Sequence, residues 1–257
     1  MKAVILAGGL GTRISEETSI RPKPMVEIGD MPIIWHIMKI YERFDITDFV
    51  VLCGYKGHIL KDFFASYAMR RSSIEVDMQQ GTVNLLSPNR EKWNVKLIDT
   101  GESTMTGGRI KRAAEYIGDE TFLLTYGDGV CNVDMTSLIA THKNDNALVT
   151  LTAVQPPGRF GALVLGDAQT RVSEFQEKPE GDGAWINGGY FVVEPKALEY
   201  IDGDSTSWEK EPLVNIAKAG KLSAYKHRGF WQPMDTLRDK NYLESLWVQD
   251  KAPWKTW

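Results

Sequence analysis

Hydrophobic and polar positions in the first half of the chain alternate between short apolar runs and longer stretches with helical spacing. The continuous runs predict buried strands, and apolar residues at i, i+3 and i+4 predict amphipathic helices. The predicted strands are residues 2–7, 48–53, 74–78, 94–98 and 121–126, and the predicted helices are 31–44, 56–71 and 109–117. Strands that alternate with helices favour a largely parallel sheet covered on both faces.

The pattern changes after Leu138, where strands follow one another with few helices between them. The later predictions are strands at 147–154, 161–165, 171–175, 185–193 and 222–227 and helices at 207–219 and 236–248. Thr236 is suited to cap the last helix. We therefore expect a single α/β domain, in which a mostly parallel central sheet is completed by a mixed-sheet lobe.

Composition excludes several classes of function. The 257 residues are 42% hydrophobic and 25% charged with a formal net charge of −4, so no general affinity for nucleic acid or an anionic membrane is expected. Two cysteines, Cys53 and Cys131, form no disulfide framework; we expect both to be small buried residues of a cytoplasmic protein. We find no cleavable signal and no apolar run of membrane-spanning length.

A glycine-rich loop follows the first apolar run. It comprises Leu6, Ala7, Gly8, Gly9, Leu10, Gly11, Thr12 and Arg13. Because glycine lets a ligand lie against the backbone, amide N–H groups can point at anionic oxygens. Arg13 adds a planar guanidinium suited to phosphate, and Lys23 lies between two prolines that are expected to hold it extended. The pattern predicts a polyphosphate site.

Two commoner glycine-loop motifs are absent. Counted from Gly9 and Gly11, the third glycine of the dinucleotide fingerprint is replaced by Ile14, and no Gly-Lys-Ser/Thr triplet of the Walker motif occurs. A plain strand-to-helix turn is the alternative interpretation. Arg13 and Lys23 favour phosphate binding over that alternative.

Leu-Ala-Gly-Gly-Leu-Gly-Thr-Arg followed by Arg-Pro-Lys-Pro-Met resembles the signature of the sugar-1-phosphate nucleotidylyltransferases. These enzymes join a nucleoside triphosphate to a sugar phosphate and release pyrophosphate. The resemblance implies a Rossmann-like nucleotidyltransferase domain with a nucleotide-binding half (about 1–135), a sugar-binding lobe (about 136–235) and a C-terminal helix and tail (236–257). It also implies that Arg13 holds the leaving phosphates and that Lys23 neutralises charge near the α-phosphate.

Asp128 follows a predicted buried strand between two glycines, and Asp235 lies in another loop beside a strand. Taken alone, either residue is more simply a turn former or a helix cap. Both match the metal-binding aspartates of the family, so the resemblance implies a Mg²⁺ site on these two carboxylates. Mg²⁺ typically takes one or two carboxylates and completes its shell with water and phosphate oxygens.

The resemblance also implies a sugar pocket. Lys178 matches the lysine that contacts and aligns the sugar phosphate, and Glu177 matches the glutamate that binds sugar hydroxyls; without the resemblance, this pair could equally be a solvated turn. Other segments match those that line the sugar pocket in the family. They contain small residues and an amide side chain that can both donate hydrogen bonds to sugar hydroxyls and accept them. They comprise Phe160, Gly161, Asn187, Gly188 and Gly189.

Residues 99–109 fall where the family places its base-reading loop, which predicts nucleotide binding by Thr104, Gly108 and Arg109. This stretch departs from the pattern of the thymidylyl and uridylyl enzymes and, with the polar insert 79–93, is similar to the branch that joins CTP to α-D-glucose 1-phosphate. The same reaction with dTTP or UTP is one alternative. A regulatory subunit that binds a nucleotide sugar without catalysis is another, and the presence of every cationic and acidic site residue speaks against it.

The remaining candidate residues are aromatic. The four histidines, His36, His58, His142 and His227, show no ligand spacing and are expected to be structural. The tryptophans of the tail, Trp247, Trp254 and Trp257, suggest packing against a partner subunit, with stray surface aromatics as the alternative. The resemblance implies a homo-oligomer and a role in dideoxysugar synthesis for a bacterial surface polysaccharide such as the O-antigen of lipopolysaccharide.

Overall fold

The computed structural model describes residues 1–87, 91–156, 162–165, 172–176 and 184–257, which build a central seven-stranded sheet and several two-stranded ribbons. The strands are β1 (Ala3–Ala7), β2 (Glu27–Ile28), β3 (Met31–Pro32), β4 (Asp48–Cys53), β5 (Ser73–Asp77), β6 (Thr82–Ser87), β7 (Asn94–Asp99), β8 (Phe122–Tyr126), β9 (Gly129–Cys131), β10 (Val149–Val154), β11 (Ala162–Leu165), β12 (Val172–Gln176), β13 (Ile186–Val193), β14 (Leu222–Lys226) and β15 (Trp231–Pro233). The order in the central sheet is β14-β10-β13-β8-β1-β4-β7.

The central sheet confirms the predicted α/β class. Strands β8, β1, β4 and β7 are mutually parallel, and β10 is parallel to β14. Only β13 in this sheet runs against its neighbours, pairing antiparallel with both β8 and β10. Because β13 comes from the second half of the chain, the two halves share one continuous sheet.

Helices cover both faces of the sheet, as the alternation of strands and helices predicted. They are α1 (Ser15–Thr18), α2 (Ile33–Glu42), α3 (Gly57–Arg70), α4 (Thr106–Arg112), α5 (Ala114–Ile117), α6 (Met135–Asp145), α7 (Glu211–Lys218) and α8 (Leu237–Val248). In β1, Ala3 and Ile5 join the core under α2, α3, α6 and α8, whereas Val4 and Leu6 join the core under α4, α5 and α7. Successive strand residues point to opposite faces, so a strand buried on both faces is apolar throughout.

Several elements were not predicted from the sequence, among them β2, β3, β6, β9, β15 and α6. Helix α6 was not predicted; its apolar pattern is weak, and it is stabilised by Asp134, whose carboxylate accepts from the amides of Thr136 and Ser137. The insert expected at 79–93 is not a loop throughout, because β6 folds back on β5 as an antiparallel hairpin. The cap predicted at Thr236 is confirmed by a reciprocal pair of hydrogen bonds with Asp239.

The expectation that the tail packs on a partner subunit is wrong for Trp254. Its ring is fully buried within the single chain, stacked on Phe230 and Trp247, and its Nε1 donates to Nδ1 of His36 at 3.4 Å. Trp257 lies edge-on to Trp35 on α2. The tail therefore closes the hydrophobic core beside α2 and α8.

The cysteines and most histidines have the predicted structural character. Cys53 and Cys131 are buried and form no disulfide. Burial raises their pKa values to about 11 and about 12, so neither thiol is readily deprotonated to the thiolate. His36, His142 and His227 are buried and hydrogen-bonded. Among the residues described, none of the helices has both the length and the apolar character that crossing a membrane requires.

Candidate active site

The candidate site lies at the carboxyl ends of β1 and β8. These strands are parallel neighbours, so the glycine loop after β1 and the Asp128 turn after β8 emerge side by side. Gly127 donates its amide to the carbonyl of Leu6 at 2.9 Å, which joins the two loops directly. In parallel sheets this edge is where ligands bind.

The crest of the glycine loop is open to solvent. A Cβ on Gly9 would meet no atom within 4 Å, and Leu10 is 56% exposed. Gly11 has φ +65, and a Cβ there would lie 2.7 Å from Cγ2 of Thr18, so the turn favours glycine on both counts. Among the described residues, no group accepts a hydrogen bond from the amides of Gly9, Leu10 or Gly11. Free amides on an exposed loop are the donors that a phosphate chain needs.

The backbone at Lys23 differs from the extended conformation that the two flanking prolines were expected to impose. Pro22 is extended, but Lys23–Met25 forms a 3₁₀ turn, because the amide of Met25 donates to the carbonyl of Pro22 at 2.8 Å and that of Val26 donates to Lys23 at 3.0 Å. Pro24 tolerates this position, where its missing N–H is not required. The turn buries Lys23 to 6% exposure and directs its ammonium to the sheet edge.

The four charged residues predicted around the phosphates form one cluster. Nζ of Lys23 lies 2.6 Å from Oδ2 of Asp128 and 2.6 Å from Oδ1 of Asp235. Nη1 of Arg13 lies 2.7 Å from Oδ2 of Asp235, and the Arg13 side chain is 71% exposed. The buried lysine is therefore compensated on two sides, and the arginine reaches out from the cluster to solvent.

A short ribbon explains why Asp128 and Asp235 meet. Strand β9 follows Asp128 and pairs antiparallel with β15, which precedes Asp235. At the end of this ribbon the amide of Met234 donates to the carbonyl of Asp128 at 2.8 Å. Each strand has only three residues, so no periodicity in the sequence could have revealed the pairing.

Asp128 and Asp235 have the donor chemistry for Mg²⁺. Their carboxylates contact the same ammonium, so they are close enough to share one cation. In the part of the chain that the structure describes, no three acidic, histidine or cysteine side chains gather as a complete ligand set. A hard cation here would need water and phosphate oxygens as further ligands, which is the usual arrangement for Mg²⁺ in nucleotide sites.

Part of the predicted sugar pocket lies beside this cluster. Asn187, Gly188 and Gly189 open β13 and line one cavity with Asp128 and Tyr126. Oδ1 of Asn187 accepts from the amide of Gly189 at 2.8 Å. Gly189 has φ +79, and a Cβ there would lie 2.5 Å from the ring of Tyr126. The structure thus brings these three residues to the predicted metal ligand, whereas Phe160, Gly161, Glu177 and Lys178 lie outside the described residues.

The three predicted base-reading residues are packed within the protein, and only Arg109 contacts the glycine loop. Gly108 packs against backbone, since a Cβ there would lie 2.6 Å from Cα of Asp204, and Thr104 is buried. Arg109 is 4% exposed and lies beneath the glycine loop. Its guanidinium donates to the carbonyls of Gly8, Cys53, Gly101 and Glu102 and to the hydroxyl of Thr100. In this structure Arg109 ties three loops together, and its part in nucleotide binding stays a prediction.

Sequence reasoning missed Tyr126 and Glu209. The Tyr126 hydroxyl donates to Oε1 of Glu209 at 2.5 Å, and the hydroxyl of Thr106 donates to Oε2 of the same carboxylate at 2.7 Å. A tyrosine that ends a strand two positions before Asp128 was the available signal for Tyr126. Glu209 lies in a segment expected to be helical, and no local pattern singles it out.

Comparison with known proteins identifies the family. A family profile described as nucleotidyl transferase matches residues 2–232. The glucose-1-phosphate cytidylyltransferase of Salmonella typhimurium is 57% identical over 258 aligned residues, covering 100% of both chains. The probable glucose-1-phosphate cytidylyltransferase of Bacillus subtilis is 44% identical, also with 100% of both chains covered.

Solved structures share the fold. The crystal structure of HddC from Yersinia pseudotuberculosis covers 96% of this chain and 99% of its own, with a TM-score of 0.70 and 24% identity. UDP-glucose pyrophosphorylase complexed with UDP-glucose covers 97% of this chain and 98% of its own, with a TM-score of 0.69 and 16% identity. Because the family profile spans most of the chain and close relatives align along all of it, the predicted resemblance is confirmed, and this chain belongs to the nucleotidyl transferase family.

Proposed function

We propose that the protein transfers a cytidylyl group from CTP to α-D-glucose 1-phosphate, giving CDP-glucose and pyrophosphate. The observation that carries the reaction type is the cluster of Arg13, Lys23, Asp128 and Asp235 beside a loop with free amides. The choice of CTP and glucose 1-phosphate is supported by the names of the relatives that align over the full chain.

The proposed step is a direct in-line displacement. A phosphate oxygen of the sugar phosphate attacks the α-phosphorus of the triphosphate, the bond from that phosphorus to the bridging oxygen breaks, and pyrophosphate leaves with the electron pair. Two anions must approach each other, so fixed positive charge matters more than proton transfer. Lys23 would neutralise the reacting phosphate, and Arg13, already extended into solvent, would hold the leaving phosphates. Lys178 would align the attacking sugar phosphate.

Mg²⁺ is proposed as the cofactor, held by Asp128 and Asp235 together with phosphate oxygens. When bound, the ion supplies charge neutralisation on the triphosphate. The two carboxylates that now pair with Lys23 are the available ligands. Lys23 and Arg13 could then exchange carboxylate partners for phosphate partners without either cation leaving the cluster.

The sugar is proposed to lie in the cavity lined by Asn187, Gly188, Gly189 and Asp128. A Cβ on Gly188 would lie 2.8 Å from Cγ1 of Val154 and one on Gly189 would lie 2.5 Å from the ring of Tyr126, so these glycines let the wall of the cavity pack closely. From the family resemblance, Glu177 is proposed to bind sugar hydroxyls, and Phe160 and Gly161 are proposed to contribute to sugar binding. Thr104, Gly108 and Arg109 are proposed to contribute to the nucleotide side.

We also propose that the chain forms a homo-oligomer, supported by the hairpin of β5 and β6. One face of this hairpin pairs Ile74 with Leu85 and Val76 with Val83, and all four side chains are exposed. An isolated two-stranded ribbon is marginally stable in water, and a second copy would bury its apolar face. Val76→Glu should then reduce the mass measured by light scattering. Asn84→Asp, on the opposite face of the hairpin, should leave the mass measured by light scattering unchanged.

The cellular setting is proposed to be cytoplasmic, supported by two free buried cysteines that a reducing compartment suits. The role in surface polysaccharide synthesis remains a prediction of the family resemblance.

One assay tests the proposed reaction. Pyrophosphate release is measured with glucose 1-phosphate, Mg²⁺ and each of CTP, dTTP and UTP in turn. CTP should give the highest kcat/KM. A preference for dTTP or UTP would reassign the base, and silence with every triphosphate would favour a regulatory nucleotide-sugar-binding subunit.

A further inference from the structure

Glu209 connects the two sides of the candidate site. It lies in the loop before α7, and its two carboxylate oxygens accept from the hydroxyls of Tyr126 and Thr106 at 2.5 and 2.7 Å. Tyr126 lines the cavity that contains Asn187. Thr106 begins α4, within the segment predicted to read the base. One carboxylate therefore bridges the sugar side and the nucleotide side.

The direction of these hydrogen bonds is determined by chemistry. An ionised carboxylate only accepts, so both hydroxyls must turn their protons toward Glu209. The oxygen of Thr106 then accepts from the amide of Trp208 at 2.9 Å.

The orientation of Asn187 is determined by its own strand. Its Oδ1 accepts from the amide of Gly189 at 2.8 Å, so its NH₂ group is the end left to donate to a ligand in the cavity that it lines with Tyr126. A tyrosine hydroxyl is neutral at physiological pH, so Tyr126 keeps the proton that it donates to Glu209.

We propose that Glu209 is a positioning residue that holds the hydroxyl of Tyr126, which lines the same cavity as Asn187, in the orientation that receives the sugar phosphate substrate. This inference rests on the proposed function. Glu209→Gln has nearly the same shape, but one of its oxygens is replaced by an NH₂ donor. It cannot accept from both hydroxyls, so one of the two hydrogen bonds must break or reverse.

The test compares steady-state kinetics of the full-length wild-type protein and three variants. Glu209→Gln and Tyr126→Phe interrupt the connection, and Glu211→Gln removes a charge two positions away that has no partner among the described residues. We expect Glu209→Gln to raise KM for glucose 1-phosphate about tenfold, the effect of one misdirected hydrogen bond, and KM for CTP less than about twofold. Glu211→Gln should match the wild type.

A double variant makes the test specific. If Glu209 acts through Tyr126, combining Glu209→Gln with Tyr126→Phe should change KM no more than the larger single substitution does, because the two residues act as a unit. Additive effects, an unchanged KM for glucose 1-phosphate in Glu209→Gln, or equal increases for both substrates with a lowered Tm would overturn the positioning role. A wild-type protein that releases no pyrophosphate would overturn the proposed function, and this inference with it.

Discussion

The ammonium of Lys23 donates to Oδ2 of Asp128 at 2.6 Å, although 105 positions separate the two residues in the chain. Asp235 contacts the same ammonium from its other side. A buried lysine is costly unless it is compensated, so these carboxylates stabilise the charge that the proposed reaction uses. The same carboxylates are the proposed ligands of Mg²⁺, which makes the three residues interdependent.

The first prediction concerns the two cations. Lys23→Ala and Arg13→Ala should each lower kcat by about 100-fold or more, the scale of loss when one preorganised donor is removed from a site of developing charge. The measurement is pyrophosphate release at saturating substrates. Lys255→Ala, which removes an exposed lysine paired with Asp250, serves as the control and should be unaffected. Near-normal rates in both site variants would remove these residues from the mechanism.

The second prediction concerns metal removal. EDTA should abolish pyrophosphate release. It should change the Tm of the substrate-free protein by less than about 2 °C relative to the same protein without EDTA, because Lys23 bridges Asp128 and Asp235 without a metal. In Lys23→Met the two carboxylates lose that cation. Added Mg²⁺ should therefore raise the Tm of this variant more than that of the wild type. Equal Mg²⁺ shifts in both proteins would show that Lys23 and the ion do not share the carboxylates.

The third prediction concerns Arg109. Replacing it with Met leaves several buried carbonyls without their donor, so the free energy of unfolding should fall by about 3 kcal/mol or more. Urea unfolding followed by circular dichroism measures this difference. Arg70→Met, at the exposed end of α3, should change stability little. An Arg109→Met protein as stable as the wild type would contradict the bridging role.

The fourth prediction concerns pH and His36. Burial lowers the pKa of His36 to about 4, because the charged imidazolium loses its hydration, and this effect outweighs the hydrogen bonds to the backbone of Ile28 and Met31, which act in the opposite direction. The unfolded chain takes up this proton near pH 6.5, before the folded chain does. The stabilisation is therefore complete above pH 6.5 and is lost progressively as the pH falls toward 4, by about 2 kcal/mol between pH 7 and pH 5.

The control for this pH effect is His36→Gln, which keeps a donor and an acceptor but does not titrate. Its stability should vary less between pH 7 and pH 5 than that of the wild type, as measured by urea unfolding at both values. The lowered pKa of His227 acts in the same direction and would account for part of the remaining slope. Identical slopes in both proteins would assign the effect to other groups.

Much of the fold was predictable because its central strands are buried on both faces. Residues 48–53 were predicted and observed as a strand with the same bounds, and β1, β8 and β13 were located to within a residue or two. Helix α6 and strand β6 were missed, because one has a weak apolar face and the other is exposed along its whole length. Patterns of hydrophobicity reveal elements only where burial differs between positions.

The sequence by itself determined the candidates for phosphate binding: the glycine loop, Arg13 and Lys23 were recognisable from residue type and local context, because a polyphosphate needs amide donors and fixed cations. Asp128 and Asp235 were selected by the family resemblance, since either aspartate alone is more simply a turn former or a helix cap. Only the tertiary structure decided which of these groups touch. The pairing of β9 with β15 brings Asp235 to Asp128, and the loop before α7 brings Glu209 to Tyr126 and Thr106. Contacts between residues about a hundred positions apart depend on the packing of the whole chain, and short-range periodicity carries no information about them.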